Sequence, residues 1–140
     1  LQRHLDPTPR CDLGVKLSES RLVTAMIDIS DGLLADLGHI GEQSGCGAEI
    51  MLSQLPLSTP FQAYAAHQPV FPWQLAISGG EDYELCFTAP ACNHGAIQKI
   101  SKTAGIPLTV VGKVTDSEQV QAILPDGTVL KPEAKGFTHF

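Results

Sequence analysis

The sequence predicts an α+β domain, a mixed β-sheet packed with α-helices. Alternating stretches such as "AEIMLSQLP" and "YELCFTA" read as strands, whereas the residues from Asp31 onward carry apolar side chains at helical spacing. Strands and helices mix without a strict βαβ alternation, and the chain closes on "VQAILPDGTVL", a hairpin turning at Asp126-Gly127.

The 140 residues fit one domain, 1–140, and a domain of that size buries ~70% of the surface its unfolded chain exposes. The sequence opens "LQRHLDPTPR" with no methionine, and Leu1 and Leu5 resemble the last turn of a helix, so a fragment is expected. After the proline-broken "DPTPR", Cys11 to Ser18 reads as a short helix. Leu22 to Ile29, rich in Val, Ile, Met and Thr, reads as a buried strand. Leu33, Leu34, Leu37 and Ile40 then define a helix opened by Asp31-Gly32 and stopped near Ser44 by "SGCG". "AEIMLSQLP" is a strand ending at Pro56, and Thr59-Pro60 starts a helix through "FQAYAAHQ", with Thr as cap and Pro in the first turn. The stretch "FPWQLAISGGEDYELCFTAP" runs partly apolar into a glycine pair, presents Glu81, Asp82 and Glu84, and resumes as the strand "YELCFTA". Ala91 to Ala104 is helical and ends at Gly105, and "PLTVVGKVT" is a strand before the hairpin.

Composition narrows the function. The formal net charge is −6, and nine basic residues spread thinly form no stripe that would track a phosphate backbone, so no nucleic-acid partner is expected. No apolar run reaches the ~18 residues that span a bilayer and no signal peptide is recognisable, so no membrane partner and a cytoplasmic setting are expected. Cys11, Cys46, Cys86 and Cys92 show no metal-ligand spacing and read as reduced, small packing residues.

Two charged junctions stand out. Asp28 and Ser30 are two apart and share a strand face, while Asp31 begins the turn. Carboxylates this close repel unless a cation sits between them, and Mg²⁺ is held by one or two carboxylates plus phosphate oxygens. The competing reading is that Ser30 or Asp31 simply caps the helix. In "SGGEDYE" the glycines permit close backbone approach and the acids can order metal, hydroxyl or amine groups, against the alternative of a solvated loop. Trp73, Tyr64, Phe71, Tyr83, Phe87, Phe137 and Phe140 read as packing residues, and His39, beside core leucines, as a structural histidine.

Together, "AMIDISDGLLADLGHI", "SGCGAEI", "SGGEDYELCFT" and "KGFTHF" resemble the thiamine-monophosphate kinase family, within the PurM-like superfamily of aminoimidazole ribonucleotide synthetase. The resemblance runs from "RHLDPTPR" to Phe140 and covers that family's carboxyl-terminal domain. It implies a PurM-like carboxyl-terminal fold and transfer of the ATP γ-phosphoryl group to thiamine monophosphate, giving thiamine diphosphate and ADP with Mg²⁺. It also implies that Asp28 and Asp31 ligate Mg²⁺, Ser30 touches ATP, and Glu81 and Phe137 contact thiamine monophosphate. An amino-terminal ATP and Mg²⁺ domain, through which the enzyme would form a homodimer, is expected outside this chain, and the fragment alone is expected to be inactive. Alternatives are another ATP-using PurM-like enzyme, of the selenophosphate synthetase or hydrogenase maturation factor type, or a non-catalytic small-ligand or metal-binding module.

Overall fold

A short antiparallel strand pair stands between two helix-backed cores in the computed structural model, which describes residues 10–65, 67, 71–78 and 84–130. In chain order the elements are α1 (Cys11–Ser20), β1 (Ala25–Asp28), α2 (Leu33–Ser44), β2 (Gly47–Met51), α3 (Thr59–Ala65), α4 (Phe71–Ser78), β3 (Leu85–Thr88), α5 (His94–Ala104), β4 (Gly112–Thr115), β5 (Val120–Ile123) and β6 (Val129–Leu130). Single 3₁₀ turns occupy Leu52–Gln54 and Ala91–Asn93.

β1 pairs with β3 so that Met26 faces Phe87, Ile27 faces Cys86 and Asp28 faces Leu85. The two-residue period of a strand then divides the side chains. Ala25, Ile27 and Cys86 join a core formed by Leu33, Leu37 and Ile40 of α2, Ala48 and Ile50 of β2, Ile77 of α4, Ala122 of β5 and Leu130 of β6. Met26, Leu85 and Phe87 join a second core built on Leu13 and Leu17 of α1 and Ile97 of α5. The pair forms a sheet of its own. The mixed sheet is the other one, ordered β4-β2-β5-β6, with β2 antiparallel to β4 and parallel to β5.

The α+β class and most elements follow the sequence reading. α2 and α5 stop at Gly45 and Gly105, both left-handed (φ 64° and 68°), as glycine permits. The hairpin turns at Asp126-Gly127, where Asp126 Oδ1 accepts from the Thr128 N–H (2.9 Å) and hydroxyl (2.7 Å). Those bonds hold its carboxyl below the usual range. The strands expected over Leu22 to Ile29 and "PLTVVGKVT" shorten to β1 and β4, two further expectations change, and one segment without an expected element gains one. The "AEIMLSQLP" strand ends at Met51, because a 3₁₀ turn drops Leu52 fully into the core. Ser58 Oγ, rather than Thr59, accepts the N–H of Phe61 (3.4 Å) at the start of α3. "FPWQLAIS" is a helix, α4, that sends Ile77 inward while Leu75 stays exposed.

Candidate functional site

The junction between β1 and α2 is built from the inside by a residue the sequence reading did not single out. Strand pairing continues one residue beyond β1, where the Ile29 N–H donates to the Glu84 carbonyl (2.8 Å). Ser30 and Asp31 then bend the chain into Gly32, which precedes α2 and offers no side-chain acceptor to the helix start. Asp36, in the first turn of α2, supplies an acceptor instead to the two residues before Gly32. Helical side chains lean toward the N-terminus, and Asp36 Oδ2 accepts the N–H groups of both Ser30 (2.9 Å) and Asp31 (3.0 Å). The carboxylate is only 2% exposed, and its charge is compensated by those bonds and by the positive end of the helix.

This overturns the capping alternative: Ser30 and Asp31 are donors to a buried carboxylate, not caps of α2. With their N–H groups tied inward, their side chains are left exposed, as is that of Asp28 at the end of β1. Among the described residues the carboxylates of Asp28 and Asp31 and the hydroxyl of Ser30 make no hydrogen bond.

Gly32 is held at φ 115°, and a Cβ there would lie 2.9 Å from the Ile77 carbonyl oxygen and 3.1 Å from Ser78 Cα. No other residue fits, so the end of α4 sits directly against the junction. Ser78 therefore touches one side of the Ile29–Gly32 segment, and Glu84 is bonded to its other end. Glu81, Asp82, the Gly79-Gly80 pair and Phe137 lie outside the described residues. Glu84 itself is committed to Arg10, whose Nε and Nη2 reach its two carboxylate oxygens at 3.0 and 2.9 Å. That bonding raises the Arg10 pKa against a smaller opposing effect of burial.

His39 is exposed rather than packed among the core leucines. One ligand atom each from Asp31, Asp36 and His39 lies within 4.8 Å of the others, a group to which Asp28 does not belong. Asp36 already spends one oxygen on two N–H groups, which leaves Asp31 as the exposed carboxylate of this set. An exposed carboxylate backed by a second negative charge suits a hard cation that keeps several waters, so the oxygen donors of this set fit Mg²⁺ while the His39 imidazole does not.

Cys86, facing Ile27, has its thiol pushed up to about 11, first by burial and then by the charge of Asp36. Cys11 and Cys92, expected as packing residues, are exposed. Trp73 and Phe87 pack on the two cores, while Tyr64 is exposed. An open depression of about 550 Å³, lined by residues such as Glu49, Lys113 and Ile123, shares no residue with the junction. No helix among the described residues is long and apolar enough to cross a membrane.

An α+β domain with an acidic strand-to-helix junction is the class that the fold and site define. The chain belongs to the family described as AIR synthase related protein, C-terminal domain, which matches residues 4–125. It is 41% identical over 140 residues to thiamine-monophosphate kinase of Escherichia coli (strain K12), across 100% of this chain and 42% of that protein. Its fold resembles the crystal structure of thiamine-monophosphate kinase from Stenotrophomonas maltophilia K279a (TM-score 0.77, 38% identity, 89% of this chain and 37% of that one). It also resembles the structure of AaThiL complexed with AMPPCP and TMP (TM-score 0.70, 36% identity, 99% of this chain and 40% of that one). The chain thus spans 42% of the length of its curated relative.

Proposed function

We propose that this chain is the carboxyl-terminal domain of a thiamine-monophosphate kinase and contributes one wall of its ATP and thiamine-monophosphate site. The observation that carries the reading is the Ser30–Asp31 turn, whose amides are bound from behind by buried Asp36 while its side chains face solvent. Identity of 41% to a kinase of that name, and likeness to a protein complexed with AMPPCP and TMP, support it.

In this reaction the γ-phosphoryl group of ATP passes to the phosphate of thiamine monophosphate, leaving ADP and thiamine diphosphate. Both reactants are anionic and the chain has a formal charge of −6, so a cation must mediate their approach. Asp28 and Asp31 would hold Mg²⁺, which when bound neutralises charge on the phosphate oxygens. The protein's own part is placement, since phosphoryl transfer asks for alignment more than for covalent chemistry. Ser30 presents its hydroxyl to a nucleotide oxygen, Glu81 meets the cationic end of thiamine, and Phe137 offers a ring face to its flat heterocycle. The rest of such a kinase supplies further Mg²⁺ ligands and the homodimer contact, in the cytoplasm.

The test is ADP formation dependent on thiamine monophosphate, measured with Mg²⁺ on the natural protein that contains this chain. Dependence on both substrates is expected, with a loss of roughly 100-fold or more in Asp31→Asn at an unchanged unfolding midpoint. ADP formation that ignores thiamine monophosphate contradicts the reading.

A further inference from the structure

We infer that Asp36 is a positioning residue: by binding the amides of Ser30 and Asp31 it sets the turn whose side chains meet the cation and nucleotide, a role resting on the kinase reading above. The geometry is specific to the task. A single oxygen, Oδ2, serves two consecutive N–H groups at 2.9 and 3.0 Å, so the peptide planes on both sides of Ser30 are fixed with respect to α2. The acceptor is 2% exposed, and water cannot readily replace it. Gly32 follows at once, against the backbone of Ile77 and Ser78, so the turn is pinned on the helix side by a carboxylate and on the α4 side by close backbone contact. Its remaining freedom is in the exposed side chains of Ser30 and Asp31. A carboxylate that only stabilised α2 would bind the helix's own first amides, whereas these two belong to the residues before it.

Charge and acceptor geometry can be separated. Asp36→Ala and Asp36→Asn both delete the negative charge, but only Asn keeps an oxygen for the two amides. Any difference between the two variants therefore reports positioning rather than the through-space attraction of Asp36 for a cation.

The experiment follows backbone hydrogen exchange of the peptide covering residues 29–33 in the natural protein, as Mg²⁺ is titrated with AMPPCP present. In Asp36→Ala this peptide is expected to exchange faster before ligand is added, while peptides from β2 and β5 exchange as in the wild type. The Mg²⁺ concentration giving half-protection is expected to rise about tenfold above that of Asp36→Asn, the size of the neutral hydrogen bonding that only Asn keeps. If Asp36→Ala does not fold, the better-filling Asp36→Leu replaces it in the same comparison. Equal Mg²⁺ midpoints in the acceptor-lacking variant and in Asp36→Asn overturn the inference, and in an active kinase they leave the proposed function intact. Separated midpoints in a protein that forms no ADP from ATP and thiamine monophosphate uphold the role of Asp36 and overturn the kinase reading.

Discussion

Arg10 grips the carboxylate of Glu84 through two parallel hydrogen bonds, Nε to Oε2 and Nη2 to Oε1, across 74 positions of sequence. The pair ties the start of α1 to the residue before β3, and the same residue's carbonyl accepts the N–H of Ile29 beside the acidic turn. Bidentate geometry favours a real contribution, but the Glu84 side chain is 44% exposed, so Arg10→Ala is expected to lower stability by only about 1 kcal/mol. Arg10→Lys should recover part of it, because an ammonium cannot engage both oxygens in the same plane. Urea midpoints at low and high salt check this, and the gap between wild type and Arg10→Ala should narrow as salt rises.

Gly32 and Gly38 should respond to alanine with opposite signs. At Gly32 the new Cβ meets the Ile77 carbonyl at 2.9 Å in a backbone held at φ 115°. The expected loss is about 2 kcal/mol or more, since neither the strain nor the backbone contact can relax cheaply. Gly38 lies inside α2 with nothing within 4 Å of its Cβ position, so alanine there should add about 0.5–1 kcal/mol through helix propensity alone. Thermal unfolding of the two variants side by side measures the contrast.

Cys86 should give the protein an alkaline limit. Its folded pKa, about 11, lies above the ordinary value of 9.0, so the fold favours the neutral thiol. That stabilisation is complete below pH 9 and is lost as pH rises through about 11, in total about 3 kcal/mol. In Cys86→Ala this limb should disappear from the difference in urea midpoints between pH 8.5 and 11. At pH 8, a thiol reagent should modify exposed Cys11 and Cys92 well before Cys86.

What was legible in the sequence was local. Gly45, Gly105 and the Asp126-Gly127 turn mark chain reversals because each needs only its own backbone conformation, and the structure has all three. α4 was not legible, because "FPWQLAIS" is apolar on most sides and has no helical stripe to read. The division into two sheets depends on which strands pair over long sequence separations, and no single segment carries that. Asp36 sits on the polar side of an amphipathic pattern, where a solvated acid is the ordinary reading, yet it is buried against amides that precede the helix. One signal was available. A carboxylate in the first turn of a helix leans toward its N-terminal side, where a tight turn such as Ser30–Gly32 presents amides to it.

Glu81 can be tested through substrate rather than stability. Ser78 lies against Gly32, and the Glu84 carbonyl accepts the Ile29 N–H. Glu81→Ala in the natural protein should raise the KM for thiamine monophosphate about tenfold, with the KM for ATP nearly unchanged. Equal changes in both would place Glu81 at the nucleotide or in the fold.

The central claim, that the acidic turn after β1 is the cation and nucleotide site, is tested most directly by crystals of the natural protein grown with Mn²⁺ and AMPPCP. Mn²⁺ stands in for Mg²⁺ on oxygen ligands and its anomalous scattering locates it without reference to the protein's chemistry. The expected result is a peak within about 2–2.5 Å of carboxylate oxygens of Asp28 or Asp31, with a phosphate oxygen of the nucleotide also bound and the Ser30 hydroxyl in contact with that nucleotide. Nucleotide and Mn²⁺ bound together elsewhere, with Asp28, Ser30 and Asp31 facing only water, would contradict it.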